Sequence, residues 1–346
     1  MRIPLVDLKM QYQTLKSEID TAIQIVIDDC SFIGTSNNTY VKQFENEFAL
    51  FLNAKYCVGC ANGTDSLEII LEALGICSGD EVIVPALTWF STSEAVSNVG
   101  ATPVFVDIDP ESYTIDVSKI ELKINAKTKA IIPVHLYGHP ADMPEILLLA
   151  NKYQLKIIED CAQAHGASIQ GKMVGTFGDA GSFSFFPGKN LGAYGDAGCI
   201  VTNNEELAIN CRIICQHGQP GKKHVHIREG RNSRLDGIQA SILSVKLKYL
   251  SKWTEKRIEN AKTYSTLLRE YIHIPKTKHN YTHVYHLFSI ESSHRNQIIQ
   301  NLNELDIEAS IYYPTALPFL DAYKKFNFQP SDFPIAFQVT QKIIEL

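Results

Sequence analysis

A short apolar run that ends in two carboxylates constrains the fold more than any other feature of this sequence. Ile157 and Ile158 are followed at once by Glu159 and Asp160. An apolar segment that ends in charge is typical of a buried parallel strand that delivers a side chain at its carboxyl end. Ligands of open α/β sheets bind at that end. The run therefore predicts both a type of sheet and the place of a site.

Apolar runs and segments with helical spacing alternate along the first part of the chain. Strands are predicted at 56–60, 82–84, 104–106, 131–134, 157–160 and 181–186. Helices are predicted at 12–29, 41–51, 64–74, 88–99 and 143–153. Such alternation is typical of βαβ units. The sequence therefore predicts an α/β fold with a mostly parallel central sheet and helices on both faces.

The pattern changes towards the C-terminus. Residues 204–270 are predicted to be mainly helical, with a polar loop at 218–232. Beyond residue 283 a strand at 284–290, a helix at 294–305 and a strand at 309–313 predict a small α+β domain. We therefore expect a large domain over residues 1–250, which includes the N-terminal helices, and a small C-terminal domain over residues 251–346.

Charge and composition exclude several classes of partner. The 346 residues carry a formal net charge of −6, and no run of lysine and arginine interrupts the chain. Nucleic acid and anionic membranes are therefore not expected as partners. The first residues carry charges every few positions and contain no apolar core of a signal peptide. No apolar segment is long enough to span a membrane, so the expected location is the cytoplasm.

Eight cysteines raise the question of disulfides or a metal site. Cys57 and Cys60 have the C-x-x-C spacing, but no second pair or histidine cluster accompanies them. Positions three apart in a strand point to opposite faces. The sequence therefore predicts reduced thiols that pack in the core and no metal site, with metal binding at this pair as the alternative.

A lone lysine stands in a loop between apolar segments. Lys189 follows Pro187 and Gly188, directly after the predicted strand at 181–186. Lysines are normally left on solvated surfaces. A lysine that is held out of water titrates at lower pH and can form a Schiff base with a carbonyl. The alternative interpretation is that Lys189 is a solvated loop residue and that Asp160 caps a helix.

Two blocks of sequence around these residues resemble a known family. The first is E-D-x-A-Q-A-H-G-A from Glu159, and the second is S-F-S-F-F-P-G-K-N-L-G-A-Y-G-D-A-G from Ser182. Both are similar to the DegT/DnrJ/StrS family of pyridoxal-phosphate aminotransferases, which act mostly on nucleotide-linked keto-sugars. The resemblance runs from about Pro4 to Pro314. It implies a fold-type I, aspartate-aminotransferase-like architecture.

The resemblance assigns four residues to the reactive part of pyridoxal 5′-phosphate. Lys189 matches the residue that holds the cofactor as a Schiff base. Asp160 matches the partner of the pyridine nitrogen, and Gln163 matches the residue near the phenolic oxygen. Trp89 matches the aromatic residue that stacks on the ring, although packing in the core is the alternative for a tryptophan. His165 is expected to be a packing or hydrogen-bonding residue outside the catalytic set.

Four further residues are assigned to the cofactor phosphate. Gly63 and Thr64 precede a predicted helix, whose N-terminus attracts anions. They could also be an ordinary helix start. Ser184 matches the family's phosphate-binding serine. Asn232 matches an asparagine that reaches the phosphate of the neighbouring subunit, which implies a homodimer with shared active sites. A simple turn residue is the alternative for Asn232.

The implied reaction is a ping-pong transamination for amino-sugar biosynthesis. L-glutamate is the implied amino donor, and a dTDP-linked 3-keto-6-deoxyhexose is the expected acceptor. The segment from Tyr312 to Pro318 departs from the family's pattern, since tyrosine and proline stand at its two histidine places. Tyr313 lies in this segment and is a candidate substrate contact. Alternatives are another sugar nucleotide or a smaller phosphorylated ketone.

Two further functional classes are alternatives to the aminotransferase. A sugar dehydratase of the same family would carry a histidine at the place of Lys189, so the lysine argues against it. A non-catalytic regulatory protein would need no intact set of Lys189, Asp160 and Gln163. Relatives continue beyond the position of Leu346, so a shortened chain is one interpretation of the C-terminus.

Overall fold

The computed structural model describes residues 2–33, 38–221 and 224–346. Residues 222 and 223 of the predicted polar loop lie outside this description. The strands are β1 Tyr56–Cys60, β2 Glu81–Pro85, β3 Thr102–Val106, β4 Thr128–Ile131, β5 Lys156–Asp160, β6 Ser168–Ile169, β7 Lys172–Met173, β8 Ala180–Ser184, β9 Gly198–Thr202, β10 Tyr281–Thr282, β11 Ser289–Glu291 and β12 Ile343–Glu345. The helices are α1 Leu8–Asp28, α2 Thr39–Leu52, α3 Gly63–Ala73, α4 Ser91–Asn98, α5 Val117–Ile120, α6 Met143–Tyr153, α7 Glu205–Cys215, α8 Gly237–Leu268, α9 Arg295–Glu304 and α10 Pro334–Lys342.

Seven strands form the central sheet, in the order β1-β9-β8-β5-β4-β2-β3. The run from β8 to β3 is parallel, and β9 pairs antiparallel with both of its neighbours. Since β1 and β8 are both antiparallel to β9, they run in the same direction. The carboxyl ends of β1, β2, β5 and β8 therefore share one edge. The prediction of a mostly parallel sheet with helices is confirmed.

Apolar side chains cover both faces of the sheet. On one side α8 packs against α1 and α2. Phe44 and Phe48 of α2 meet Phe185 edge-on, with ring centroids 5.2 and 5.3 Å apart. Cys57 and Cys60 of β1 belong to different core clusters, as expected for positions three apart in a strand. These cores hold the carboxyl edge of the sheet rigid.

The C-terminal strands differ from those predicted. The predicted strand at 309–313 is wrong, because β12 pairs with β11 instead and Ser310 forms only an isolated bridge to Glu345. The strand predicted at 284–290 begins only at Ser289. The backbone N–H of Val284 donates to Gly138, and Tyr285 has a positive φ of 45°. A bulky residue at positive φ interrupts an extended strand.

The expected division after residue 250 remains a prediction. Residue 250 lies inside the single helix α8, which runs from Gly237 to Leu268. Downstream of it, Ala316, Leu317 and Phe333 pack into the same core cluster as Val82 of the central sheet. The small sheet of β11 and β12 has a separate cluster. Among the described residues, no helix has both the length and the apolar character that crossing a membrane requires.

Candidate active site

Asp160 stands at the end of β5 and is 5% exposed. Its Oδ2 accepts a hydrogen bond from the Thr92 hydroxyl at 2.8 Å, and its Oδ1 accepts one from the Ala162 N–H at 3.1 Å. Burial raises the pKa of Asp160, while Thr92, Ala162 and the positive charge of Lys189 oppose that rise. The carboxylate is therefore fixed in place and buried next to a cation. No helix follows it within 161–166, so it is not a helix cap.

Lys189 lies in the loop that follows β8, and its backbone N–H donates to the Phe186 carbonyl at 2.9 Å. The side chain is partly buried, and burial lowers the pKa of Lys189 to about 8, with Asp160 acting in the opposite direction. A lysine with a pKa of about 8 is partly unprotonated at neutral pH, and the unprotonated amine is the nucleophile. The interpretation of Lys189 as an ordinary solvated residue is therefore not supported.

Gln163 connects the strand end to a cluster of aromatic residues. Its Oε1 accepts from the Tyr137 N–H at 2.7 Å, and its Nε2 donates to the Tyr313 hydroxyl at 3.0 Å. The Trp89 ring lies 5.8 Å from the Tyr313 ring, and Trp89 is 57% exposed. Trp89 is therefore not a core residue. It forms an open aromatic wall with Tyr313 beside the carboxyl edge.

Gly63 and Ser184 meet at the N-terminus of α3. A Cβ atom at Gly63 would lie 2.6 Å from the Ser184 Cβ, so only glycine allows this approach. The Asn62 side chain caps the helix by accepting from the Asp65 N–H at 2.8 Å. The Thr64 hydroxyl donates to Ser91 Oγ at 2.7 Å. A helix N-terminus flanked by hydroxyl groups can bind a phosphate.

Asn232 lies apart from this group in the single chain. It is exposed, in the loop between α7 and α8, where its backbone bridges to Gln216. Within the described ranges its side chain makes no hydrogen bond to another residue. The next residue, Ser233, is buried and accepts from the Ala61 N–H at 3.1 Å. The loop is therefore anchored beside the β1–α3 turn, with Asn232 facing outwards.

His165 is fully buried among Phe48, Phe183 and Phe185, at ring-centroid distances of 6.5, 5.7 and 5.5 Å. Its ring nitrogens are buried without a hydrogen bond of good geometry to the described residues. Burial lowers the pKa of His165 to about 3, and the charge of Lys189 acts in the same direction. A permanently neutral, packed imidazole is not a general base at neutral pH.

Several supporting residues were not predicted from the sequence. Asn190, next to the lysine, donates to the Val284 carbonyl at 3.1 Å and lies 3.2 Å from His286 Nδ1. Burial lowers the pKa of His286 well below its usual value. Thr92 was also missed. Nothing in the local sequence around His286 showed that it contacts Asn190.

His135, Glu159 and Cys161 lie close enough together to suggest a metal site. His135 Nδ1 accepts from the Ala141 N–H at 2.9 Å, so its Nε2 carries the proton and donates to Glu159 at 3.1 Å. The other donors to Glu159 are the backbone N–H groups of Gly175, Phe177 and Gly178. The imidazole nitrogens and the carboxylate oxygens are therefore already engaged in hydrogen bonds, which does not favour metal binding at this cluster.

A family model described as the DegT/DnrJ/EryC1/StrS aminotransferase family matches residues 15–346. The chain belongs to this family. The predicted family, the fold-type I architecture and the aminotransferase class are therefore confirmed.

Three curated relatives differ in the function that their names state. A pleiotropic regulatory protein of Geobacillus stearothermophilus is 43% identical over 100% of this chain and 93% of its own length. A dTDP-3-amino-3,6-dideoxy-alpha-D-galactopyranose transaminase of Aneurinibacillus thermoaerophilus is 44% identical over 99% and 93%. A UDP-N-acetyl-3-dehydro-alpha-D-glucosamine 3-aminotransferase of Acidithiobacillus ferrooxidans is 46% identical over 90% and 84%.

Solved structures agree with this assignment. DesV of S. venezuelae, in complex with a ketimine intermediate, has a TM-score of 0.96 and 38% identity, and covers 100% of this chain and 92% of its own. A Bacillus subtilis protein with bound cofactor PMP has a TM-score of 0.91 and 34% identity, with coverages of 100% and 80%. At these identities the likeness extends to the family and not only to the fold.

Proposed function

We propose that this aminotransferase transfers an amino group from L-glutamate to a nucleotide-linked keto-sugar, with pyridoxal 5′-phosphate as cofactor. The most specific form of the proposal has a dTDP-linked 3-keto-6-deoxyhexose as acceptor. The observation that carries it is that buried Asp160 and Lys189 lie near enough for each charge to affect the pKa of the other, while burial lowers the pKa of Lys189 to about 8. An enzyme that acts on nucleotide sugars fits a cytoplasmic location.

The residues present fit the cofactor. Its phosphate requires a close approach to backbone N–H groups, and the contact of Gly63 with Ser184 leaves the N-terminus of α3 free of side-chain bulk. Its ring requires a flat apolar surface, which Trp89 offers. Its pyridine nitrogen requires a buried carboxylate, which Asp160 offers. When bound, the cofactor supplies an electron sink for the electrons of a broken C–H bond.

Lys189 is assigned two tasks in this proposal. Its amine would form the covalent link to the cofactor, and in the freed state its Nζ would accept the proton from the donor's α-carbon and deliver it to the cofactor carbon that keeps the transferred nitrogen. Efficient transfer needs a pKa near the working pH. Burial lowers the pKa of the Lys189 amine to about 8, which satisfies that condition. Asn190, next to Lys189, contacts His286 and the Val284 carbonyl, which attaches the lysine loop to the segment that contains them.

Asp160 is assigned the task of keeping a ring nitrogen protonated. A buried carboxylate favours a cationic partner because the pair of charges offsets the cost of desolvation. The hydrogen bonds from Thr92 and Ala162 fix the carboxylate and favour its charged form. Gln163 is held between Tyr137 and Tyr313, so its amide is oriented before any ligand binds.

The sugar-binding side is assigned to the aromatic wall. Tyr313 and Trp89 stand at the open side of the site, and aromatic rings suit the apolar faces of sugars. The dTDP-linked acceptor is favoured by the Aneurinibacillus enzyme, which is 44% identical over 99% of this chain, whereas the UDP-sugar relative matches over 90% of it. A UDP-linked acceptor is the second candidate, since a relative of 46% identity acts on a UDP sugar by its name.

We further propose a homodimer in which Asn232 reaches the phosphate of the partner's cofactor. Its exposed side chain, on a loop that packs beside the β1–α3 turn, supports this role. Mixing inactive Lys189→Ala subunits with inactive Asn232→Ala subunits tests it. One composite site of a mixed dimer carries both changes and the other carries neither, so activity should partly return. No return despite confirmed subunit exchange would refute shared sites.

The chemistry is tested on the purified protein with borohydride and a substrate panel. Reduction should fix a cofactor label on Lys189, as read by peptide mass mapping, and L-glutamate should bleach the cofactor absorbance. Glutamate-dependent amination should then be strongest with a dTDP-linked 3-keto-sugar in a panel of dTDP, UDP and GDP sugars. A label on another lysine would refute the role of Lys189. Cofactor binding without amination of any sugar would favour a regulatory protein.

A further inference from the structure

Two arginines of the loop between α7 and α8 form ion pairs with one face of α3. Arg231 donates to Glu72 at 2.9 Å and also to Glu68, and Arg228 donates to the other oxygen of Glu72 at 2.9 Å. Glu68 and Glu72 are four residues apart, so they are neighbours on the surface of the helix. The loop is therefore clamped to the helix by a network and not by a single exposed pair.

Arg231 is the centre of this network. It contacts both glutamates, whereas Arg228 contacts only Glu72. The Glu68 side chain is 12% exposed and also accepts from Asn98 of α4 at 2.7 Å. Partly buried, networked ion pairs are more strongly coupled than isolated surface pairs. The position of Arg231 is therefore set by α3 and, through Glu68, by α4.

Both neighbours of Asn232 are attached to the same part of the molecule. Arg231 precedes it and is held on α3, and Ser233 follows it and accepts from the Ala61 N–H at 3.1 Å. Ala61 lies two residues before Gly63, the first residue of α3. Asn232 is thus fixed from both sides while its own side chain stays exposed.

We propose that Arg231 is a positioning residue that sets the place of Asn232 relative to the N-terminus of α3. This inference rests on the proposed function, because it takes Asn232 as a contact to the partner's cofactor phosphate. The N-terminus of α3 would bind the phosphate of its own subunit's cofactor at Gly63. Arg231 therefore links, through one helix, the phosphate-binding elements of two active sites.

The test is cofactor retention by the holoenzyme. Arg231→Gln should release pyridoxal phosphate about 10-fold faster on dilution, which is the lower end for the loss of a hydrogen bond to a charged group. Arg231→Lys, which keeps a charge near the glutamates, should recover part of the loss. Glu68→Gln should speed release less than Arg231→Gln, because the ion pair of Arg231 with Glu72 remains. The double variant should be no worse than Arg231→Gln alone, since the ion pair that Glu68→Gln removes is already absent there.

Two controls separate positioning from general stability. Lys152→Gln breaks an exposed ion pair of 2.6 Å with Glu121, far from the loop in sequence, and should leave cofactor release unchanged. The unfolding temperature of cofactor-free Arg231→Gln should fall by no more than about 2 °C, as expected for a change of about 1 kcal/mol in a chain of this size. A larger fall with unchanged release would assign Arg231 a purely structural role and overturn the proposal.

A mixed dimer then shows whether the effect crosses the interface. When Arg231→Gln subunits are mixed with Lys189→Ala subunits, the site with an intact lysine receives Asn232 from the subunit that retains Arg231. Its cofactor should be released at the wild-type rate. Fast release from that site would show that Arg231 acts within its own subunit and would refute the inference. Failure of wild-type protein to bind the cofactor at Lys189 would instead refute the proposed function.

Discussion

Replacement of Thr92 by valine is the sharpest test of how the protein controls the charge of Asp160. Thr92 is fully buried in α4, and its hydroxyl donates to Asp160 Oδ2 at 2.8 Å. Valine keeps the shape of the side chain and removes only this donor. A hydrogen bond to a charged acceptor contributes about 1.5–3 kcal/mol. Because Thr92 opposes the effect of burial, the loss of this hydrogen bond raises the pKa of Asp160 further. A change of about 1.36 kcal/mol corresponds to a tenfold change in an ionisation equilibrium.

The expected result is a shift of the acidic limb of the kcat/KM profile. Burial already raises the pKa of Asp160, and the proposed function takes the carboxylate as the active form. A further rise therefore reduces the active fraction at low pH, and activity returns as the pH is raised above the new pKa. The limb should move by about 1–2 units towards higher pH, with a loss of about 10–100-fold on its acidic side. The measurement is kcat/KM between pH 5 and pH 10 with a saturating second substrate.

Two variants serve as controls for Thr92→Val. Thr92→Ser retains the hydroxyl and should keep the wild-type profile. Thr88→Val removes a buried hydroxyl that lies 3.2 Å from the Thr92 hydroxyl but makes no hydrogen bond to Asp160, and it should shift the limb far less. A wild-type profile for Thr92→Val would show that this hydrogen bond does not control the ionisation of Asp160. An equal shift in Thr92→Ser would show that packing and not the hydroxyl is responsible.

Three further outcomes follow from the geometry. Asp160→Asn should still bind the cofactor at the lysine but lose turnover by about 10³-fold, as measured by single-turnover kinetics with glutamate; near wild-type turnover would remove Asp160 from the mechanism. Gly63→Ala, whose Cβ would lie 2.6 Å from Ser184, should weaken cofactor affinity in a fluorescence titration, whereas Gly188→Ala meets nothing closer than 3.7 Å and should not. The His165 imidazole, with a pKa of about 3, should stay neutral in ¹⁵N NMR spectra down to pH 4, and a protonated ring at pH 6 would contradict its burial.

Most strands of the central sheet could be predicted because they carry their own local signal. The run before Asp160 is apolar over both faces, as parallel strands between helix layers require. The helix predicted at 143–153 agrees with α6, because the apolar residues with helical spacing all lie within these eleven residues. Strand β9 was not predicted, because it follows the glycine-rich segment after Lys189 and its sequence was assigned to that loop.

Contacts between distant segments could not be predicted. Thr92 reaches Asp160 across 68 residues, and His286 reaches Asn190 across 96. The wrong strand prediction at 309–313 has the same cause. The edge of β11 pairs with β12, Ile343–Glu345, which lies about 30 residues further along the chain. Local propensity depends only on the composition of a segment. The pairing of strands depends also on which strand edge is free and on which side chains fill the core. The resemblance supplied the site residues but not the groups that orient them.

The opposite effects of burial on Asp160 and Lys189 explain why this edge of the sheet is suited to one kind of ligand. Burial raises the pKa of the carboxyl group and lowers that of the amine, so it favours the neutral form of both. The positive charge of Lys189 favours the ionised form of Asp160, and the negative charge of Asp160 favours the protonated form of Lys189. A ligand that places a cation against Asp160 and an electrophilic carbonyl against Lys189 would satisfy both preferences at once, since the carboxylate gains a partner and the amine reacts in its neutral form. In the proposed function, this desolvation of Asp160 and Lys189 is the property that would make the pair reactive towards a protonated pyridine aldehyde.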